Sequence, residues 1–311
     1  MNPIKTLLVS CVLTLIFYAG TAAAGSELRI LVVLSETSAP YIELAQALRA
    51  NLEESGLAKN MQTVQASAFA GIQHAPADLL VTVGVKAAET VVASDLSAPT
   101  LYVLIPRQSV EDLPHTAKKR NVSAIYLDQP VGRQFSLIKA ALPARDQVGV
   151  LLGPSSQGRL RELQGGAREN HIKLRVGQVN SEEQLLPVLK MVLADSDVLL
   201  AVPDPLVFNR DTAQNVLLTS YRARAPIFAF SKSYVTAGAL AAVYSTPAQI
   251  GQQAGEMIRH YVQRGGGALP PSQYPKYFSV SVNYQVARSL GLALDDEAML
   301  LGKIEEHTER E

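Results

Sequence analysis

The stretch Leu28-Arg-Ile-Leu-Val-Val-Leu34 decides the fold class of this chain. It is an almost continuous apolar run, the pattern of a strand that is buried on both faces. Leu44, Ala47, Leu48 and Leu52 then recur at the spacing of one helix face. A buried strand followed directly by an amphipathic helix is one unit of an α/β fold with parallel strands.

The same alternation continues along the chain. Further strands are predicted at 79–83, 100–105, 122–126, 147–152, 173–178, 198–201, 227–230, 239–244 and 277–282. Helices are predicted at 86–93, 131–142, 156–170, 182–193 and 211–224, and from Pro247 onward. Ten or so strands that alternate with helices cannot all be antiparallel neighbours, which favours a mainly parallel, doubly wound architecture.

The length of 311 residues corresponds to one large or two medium domains. Two sheets fit this length better than one. A helix-covered barrel is the alternative. However, the Gly265–Gly267 and Pro270-Pro271 segments interrupt the regular alternation of strands and helices that a barrel needs, just before the last strand. The predicted fold is therefore α/β with two doubly wound, mainly parallel three-layer lobes.

Composition excludes several classes of protein. The 28 Lys and Arg residues balance the 28 Asp and Glu residues, and 48% of the chain is hydrophobic. A disordered chain and a strongly basic nucleic-acid binder are both excluded, so no nucleic-acid partner is expected. The single cysteine, Cys11, leaves no disulfide framework and no multi-cysteine metal site.

Residues 1–24 have the layout of a secretory signal peptide. Lys5 precedes an uncharged run from Thr6 to Phe17, and Ala22-Ala-Ala24 matches the small-x-small cleavage rule. An uncleaved anchor is the alternative, although the run is shorter than the roughly 20 residues of a membrane span. Cys11 follows a lipobox-like Leu8-Val-Ser, but the apolar residues after it favour an incidental position. We expect export and cleavage after about Ala24.

The usual signatures of catalysis and cofactor binding are missing from the sequence. The histidines are scattered, at His74, His115, His171, His260 and His307, and none has metal-ligand spacing. Neither a P-loop nor a Gly-x-Gly-x-x-Gly fingerprint follows the first strand, and no Gly-x-Ser-x-Gly elbow occurs. We therefore expect no metal, no cofactor and no enzymatic activity.

Short polar turns follow the predicted strands, and in an open parallel sheet such turns meet at the carboxyl edge, where ligands bind. Their hydroxyl and charged residues are the candidate ligand-binding groups: Ser35, Thr37, Lys86, Arg107, Ser155, Ser156, Asp204 and Lys232. Helix capping is the alternative role for the hydroxyl groups, and solvated loop positions are the alternative for the charges.

Individual side chains suggest roles within such a site. Arg107 can clamp a carboxylate through two hydrogen bonds. Lys86 and Lys232 could add positive contacts, and Asp204 could receive a ligand ammonium group. Tyr41, Phe208 and Tyr234 are aromatic candidates for stacking on an apolar ligand group, with core packing as the alternative.

Several blocks, in this order, resemble ABC-transporter substrate-binding proteins of the tryptophan/tyrosine type. The blocks are Ala77–Val83 with Ala87-Ala88, Pro143–Gly153, Ala225–Ala229 with Ala237–Ala241, Ile250–Ala254, and Val282-Asn283 to Leu290-Gly291. The resemblance runs from about residue 28 to 294. It implies a type I periplasmic-binding fold in which two lobes, joined by three chain crossings, close over a ligand.

Mapped on this chain, the resemblance implies lobe 1 at 25–126 plus 243–266 and lobe 2 at 127–242 plus 275–294. The segment 295–311 is rich in charge, and we expect it to form a loosely packed terminal helix. Ser155-Ser156 matches a serine pair of the family, and Pro203-Asp204 approximates its Pro-Thr-Asp. Val85-Lys86-Ala87 and Pro106-Arg107 depart from the family's Thr-Pro-Ala and Asp-Pro turns. A tryptophan or tyrosine ligand is therefore not assumed.

The sequence thus predicts a monomeric periplasmic solute-binding protein that takes a small polar or anionic, amino-acid-like ligand and delivers it to an ABC permease. The alternative is a periplasmic accessory that modulates a membrane sensor. A secreted α/β enzyme is disfavoured because no catalytic group is evident. A cytoplasmic repressor is excluded by the signal sequence and by the lack of a basic helix-turn-helix segment before Leu28.

Overall fold

A computed structural model describes residues 28–71, 76–94, 96–114 and 121–308 of the chain. The predicted signal peptide, with Cys11, lies outside the described residues. Within them, no helix is both long and apolar enough to cross a bilayer.

Eleven strands of the described chain form two sheets. The strands are β1 (Ile30–Leu34), β2 (Met61–Gln65), β3 (Leu79–Val83), β4 (Thr100–Ile105), β5 (Val122–Tyr126), β6 (Gln147–Leu152), β7 (Lys173–Gln178), β8 (Val198–Leu200), β9 (Ile227–Ala229), β10 (Ala241–Tyr244) and β11 (Ser279–Val282). The first sheet has the order β2-β1-β3-β4-β5 and the second the order β11-β10-β9-β8-β6-β7. All pairings are parallel except β10 with β11.

Helices cover both faces of each sheet. They are α1 (Ala39–Glu53), α2 (Val85–Val92), α3 (Arg107–Glu111), α4 (Val131–Ala141), α5 (Leu160–Glu169), α6 (Glu182–Ala194), α7 (Arg210–Arg222), α8 (Lys232–Ala237), α9 (Pro247–Gln263), α10 (Tyr284–Ser289) and α11 (Glu297–Thr308). The expected fold class, two doubly wound α/β lobes, is confirmed by this arrangement.

The position of β1 between two hydrophobic clusters explains why its sequence is apolar throughout. Ile30, Val32 and Leu34 face α1 and α9 in one hydrophobic cluster, whereas Leu31 and Val33 face a second cluster on the other side of the sheet. Every residue of β1 is buried. Alternate side chains therefore fill two separate cores, as the continuous apolar run predicts.

The second sheet is buried in the same way. In β8, Val198 and Leu200 belong to the cluster under α4 and α5, and Leu199 belongs to the cluster under α6 and α7. The two sheets therefore have separate cores and form separate lobes.

The chain passes between the sheets three times: after β5, after β10, and between α9 and β11. The predicted lobe boundary at residue 243 is corrected by this topology, because Val243 and Tyr244 pair with β11 in the second sheet. The return to the first lobe begins after Tyr244, and α9 then packs in the core of that lobe.

One buried hydrogen-bond network connects the three crossings. Arg133 Nη1 donates to Gln129 Oε1 at 2.6 Å and to the Pro275 carbonyl at 3.0 Å. Gln129 Nε2 donates to Ser245 Oγ at 2.8 Å, and Ser245 Oγ donates to the Tyr277 carbonyl at 2.6 Å. Residues of all three crossings thus meet at a single place between the lobes.

Strand β2 and the C-terminal segment are two of the places where the structure differs from the sequence expectations, and the short helices α3, α8 and α10 were not predicted either. Strand β2 was not predicted; its sequence, MQTVQ, is mostly polar because it lies at the edge of the first sheet with one buried residue, Met61. The predicted charged tail contains α11, which is well packed: Leu300 and Ile304 are fully buried in the core of the second lobe. These two residues are one helical turn apart, so a single apolar stripe anchors the helix.

Candidate functional site

An open cleft of about 720 Å³ lies at the carboxyl edges of both sheets. Its first wall comes from α3 and the turn before it, including Pro106 and Arg107. Its second wall comes from the turns after β6 and β8, including Arg159 and Asp204, and Tyr274 of the third crossing closes one side. A cleft at this edge between two α/β lobes is where the topology predicts a ligand site.

Arg107 begins α3 and is held by several groups. Its backbone N–H donates to Asp128 Oδ2 at 2.6 Å, which satisfies one of the free N–H groups at the start of the helix. Its guanidinium donates from Nε to Glu111 Oε1 at 2.8 Å and from Nη1 to the Tyr274 hydroxyl at 2.9 Å. The hydrogen bond to Tyr274, followed in size of effect by the one to Glu111, raises the pKa of Arg107 above its ordinary value. Arg107 is therefore a permanent cation within the cleft.

Arg159 brings a second cation to the cleft from the turn before α5. Its side chain is 14% exposed, compared with 44% for Arg107. Arg159 Nη1 lies 3.6 Å from Asp128 Oδ1, and Nε lies 3.6 Å from Glu162 Oε2. The remaining nitrogen, Nη2, is buried without a hydrogen-bond partner in the described part of the chain. A ligand oxygen is a chemically suitable partner for such a donor.

Asp204 and Ser156 connect the two turns of the second wall. Asp204 Oδ2 accepts from the Ser156 N–H at 2.9 Å and from the Ser156 hydroxyl at 2.8 Å, while Oδ1 accepts from the Leu206 N–H at 2.9 Å. Asp204 is 3% exposed and Ser156 is 1% exposed. Asp204 and Ser156 therefore hydrogen-bond within the protein, and they lie buried at the base of the second wall.

Aromatic side chains form the apolar part of the second wall. Phe208 and Phe230 line the cleft, with ring centroids 6.2 Å apart in an edge-to-face arrangement. Tyr234 packs against both, at 6.1 Å from Phe208 and 5.0 Å from Phe230. Burial raises the pKa of the Tyr234 hydroxyl. The site therefore combines guanidinium groups with an aromatic surface.

The structure brings four of the predicted ligand residues to the cleft: Arg107, Ser155, Asp204 and Phe208. Ser156 lies directly behind them. Ser35, Thr37, Tyr41, Lys86 and Lys232 do not line it.

Two of these more distant residues have local structural roles. Ser35 Oγ accepts from the Ala87 N–H at 3.0 Å in the first turn of α2. Both Ser35 and Tyr41 lie close to Gly84, where an added Cβ would come within 2.6 Å of each side chain. Thr37, Lys86 and Lys232 are exposed. A role for any of the five in ligand binding stays a prediction.

The sequence reading missed Arg159, Glu162, Phe230 and Tyr274. Arg159 and Glu162 lie inside a stretch predicted as a single helix, where charges are ordinarily solvated. Tyr274 lies in the Gly/Pro-rich linker and reaches the cleft because its backbone follows β5, with a bridge between Ile125 and Gln273. The only available signal for Arg159 was its position just after the Ser155-Ser156 turn.

Comparison with solved structures reveals the same fold in several proteins. The ligand-free, open structure of a substrate-binding protein with adhesive properties from Clostridium difficile is similar with a TM-score of 0.71 and 18% identity over 86% of this chain and 96% of that one. An ABC domain in complex with L-Trp from Streptococcus pneumonia has a TM-score of 0.61 and 19% identity over 89% and 98% of the two chains. A conserved domain protein from Vibrio cholerae has a TM-score of 0.60 and 21% identity over 88% and 98%.

Comparison with curated protein sequences yields no match. The profile of the family described as ABC transporter substrate binding protein matches residues 50–303. This match spans most of both lobes and includes every wall of the cleft. The chain belongs to the ABC transporter substrate-binding protein family.

Proposed function

We propose that this protein captures a small ligand in the cleft between its lobes and delivers it to an ABC permease. The observation that carries the proposal is the open cleft of about 720 Å³, to which both sheets contribute their carboxyl edges. A ligand can signal its presence only if it binds the closed arrangement of the lobes more tightly than the open one. Contacts with both walls provide that difference.

The chemistry of the walls favours an amino-acid-like ligand. Arg107 and Arg159 offer guanidinium groups from opposite walls, and Arg159 Nη2 is a buried donor without a partner. Phe208 and Phe230 offer an apolar surface beside them. A small molecule with an anionic group and an apolar group would use both features. The L-Trp complex of a similar structure makes L-tryptophan a sensible first compound to test.

The protein acts in the periplasm as a monomer, in this proposal, after export and removal of residues 1–24. Substrate-binding proteins of this family are typically periplasmic or extracellular, which agrees with the signal-peptide pattern of the sequence. The protein performs no chemical conversion of its ligand.

Thermal unfolding of residues 25–311 against amino acids, peptides, sugars, nucleosides and organic acids tests the proposal. A ligand at one hundred times its dissociation constant adds about 2.7 kcal/mol of stability. We expect at least one carboxylate to raise the unfolding midpoint. A folded protein with a flat response to the whole panel would contradict ligand capture.

Replacement of Arg107 tests the assigned site. Arg107→Ala should weaken binding of a stabilising carboxylate by about 1.5 to 3 kcal/mol, the range for a hydrogen bond to a charged group. Arg168→Ala is the control, since Arg168 is exposed on α5 and does not line the cleft. Equal affinity of the Arg107 variant and the control would remove Arg107 from the ligand site.

A second candidate function is an accessory that modulates a membrane sensor. The observation that favours it is that the charges of the cleft already pair with one another, as Arg107 does with Glu111 and Arg159 with Asp128. A cleft whose charged side chains are already paired could modulate a membrane sensor through its conformation alone, without a ligand. Genes that neighbour this one discriminate the two functions: a permease with an ATPase favours transport, and a lone sensor kinase favours signalling.

A further inference from the structure

A carboxylate of the chain itself lies between the two cations of the cleft. Glu162, in α5, has its Oε2 atom 3.6 Å from Arg107 Nη1 and 3.6 Å from Arg159 Nε. Its Oε1 atom accepts a hydrogen bond from the Tyr274 hydroxyl at 3.2 Å. Arg107 belongs to the first lobe and Arg159 to the second. A single carboxylate group therefore contacts cations from both walls and a residue of the third crossing.

The ion pairs of Glu162 with Arg107 and Arg159 are loose enough for another anionic group to replace Glu162. Separations of 3.6 Å exceed the 2.7–2.9 Å of a tight charge-assisted hydrogen bond. The Glu162 side chain is 29% exposed, and ion pairs that water can reach contribute little to stability. Arg107 holds Glu111 more closely, at 2.8 Å. Glu162 can therefore leave the cleft by side-chain rotation while Arg107 keeps its position.

The charges that line the cleft favour movement of Glu162 out of the cleft when an anion enters it. The lining contains three arginines and five carboxylates: Arg107, Arg159, Arg161, Glu111, Asp112, Asp128, Glu162 and Asp204. An anion that entered this cleft would add to an existing excess of negative charge, which is unfavourable at these short distances. Moving one carboxylate outward removes that cost. Asp204 is fixed by Ser156 and Leu206, whereas Glu162 is only loosely held.

We propose that Glu162 is a specificity-determining residue that competes with the ligand's anionic group for Arg107 and Arg159. The inference rests on the proposed function, because it concerns the same cleft. In the ligand-free protein Glu162 connects the two walls, and a ligand carboxylate displaces it on binding. A neutral ligand offers the two guanidinium groups no competing charge, so it leaves Glu162 in place and forms no ion pair with Arg107 or Arg159.

The first test needs no ligand. The chain from residue 25 onward contains no cysteine, so Glu89→Cys in α2 and Gln214→Cys in α7 accept one spin label on each lobe. Both positions are exposed. Glu162→Gln should shift or broaden the distance distribution between the labels measured by double electron–electron resonance. Glu169→Gln, on an exposed position of the same helix, should leave it unchanged. An unchanged distribution in the Glu162 variant would overturn the proposed contact.

The second test measures affinity by calorimetry. The probe is L-tryptophan, or the carboxylate that raises the unfolding midpoint most if the panel selects another. Glu162→Gln should bind it about three- to tenfold more tightly than the wild type, because one or two weak competing ion pairs are lost. Glu169→Gln should match the wild type. Equal or weaker binding by the Glu162 variant would refute the competition.

The two tests separate this inference from the function on which it rests. If no compound binds the wild-type chain, ligand capture fails, and the distance measurement alone decides whether Glu162 connects the walls. If a carboxylate binds the wild type and Glu162→Gln does not bind it more tightly, ligand capture stands and the competition fails.

Discussion

At the scale of single residues, Asp204 shows how a predicted ligand group can instead be part of the frame of the site. The sequence places it in a turn at the carboxyl edge of a parallel sheet, where a carboxylate could receive a ligand ammonium group. In the structure it is buried and accepts three hydrogen bonds, two from Ser156 and one from Leu206. Its carboxylate holds the turn after β6 against the turn after β8.

Removal of the Asp204 carboxylate should therefore destabilise the protein. Asp204→Ala leaves two backbone N–H groups and one hydroxyl group without their partner, and each buried donor of this kind costs about 1–3 kcal/mol. We expect a loss of about 2–4 kcal/mol in urea unfolding. Asp195→Ala, an exposed carboxylate at the end of α6, is the control and should cause no loss. Similar stability of the two variants would show that Asp204 does not support the turns.

Asp78 provides a prediction that depends on pH. Arg29 donates to both of its carboxylate oxygens, from Nε at 3.0 Å and from Nη2 at 2.8 Å. These bonds lower the pKa of Asp78 to about 2, below the unfolded value of about 3.9. The stabilisation is complete above the unfolded pKa and is lost as the pH falls from about 4 through 2.

Asp78→Asn should lower the urea midpoint at pH 7 by a small amount, because the ion pair is open to solvent. The difference between the variant and the wild type should shrink below pH 4 and should be mostly lost at pH 2. Urea unfolding at pH 7, 4 and 2 measures it. A difference that stays constant with pH would mean that the ion pair does not account for the effect.

A residue of the site could be predicted from the sequence only where a single turn after a strand determines its position. Arg107 follows a buried strand directly, so its place at the edge of the cleft follows from local pattern. The contact of Arg107 with Glu162 and Tyr274 joins residues from separate parts of the chain. It exists because two lobes and a linker meet, and no periodicity within one segment predicts it.

At the scale of elements, α1 and α9 show how a glycine permits close packing. A Cβ atom on Gly251 would lie 2.5 Å from the Leu44 carbonyl oxygen and 3.0 Å from the Ala47 Cβ atom. The two helices are far apart in sequence, and their contact fixes α9 to the first lobe after the second crossing. A side chain at Gly251 would push them apart.

Gly251→Ala should lower the free energy of unfolding by about 1–3 kcal/mol, since the added methyl group meets the backbone of α1. Gly302→Ala in α11 is the matched control, because nothing lies within 4 Å of the new Cβ atom there. It should raise stability by about 0.5–1 kcal/mol through helix propensity. Thermal or urea unfolding of both variants measures the contrast. Stabilisation by both substitutions would show that α1 and α9 do not pack so closely.

Most elements could be predicted because their apolar periodicity is strong. Strand β7 occupies the predicted residues Lys173–Gln178, and α6 differs from its prediction by a single residue. Strand β2 could not be found in this way, since an edge strand with exposed side chains needs no apolar run. The burial of α11 was also missed, because two apolar residues among many charges are a weak signal.

At the scale of the whole molecule, the two lobes have separate cores and meet at three crossings. The network of Arg133, Gln129 and Ser245 connects these crossings, and the cleft lies between the carboxyl edges that face each other. Separate cores allow each lobe to move as a unit, and the three connections between the lobes restrict that movement. Ligand capture by closure is therefore the central claim.

Small-angle X-ray scattering of residues 25–311, with and without the compound that raises the unfolding midpoint most, tests closure directly. The account predicts a smaller radius of gyration with the ligand, reached at one ligand per chain, because the lobes approach each other over the cleft. An unchanged radius at saturation, with binding confirmed by calorimetry, would contradict capture by closure of the two lobes.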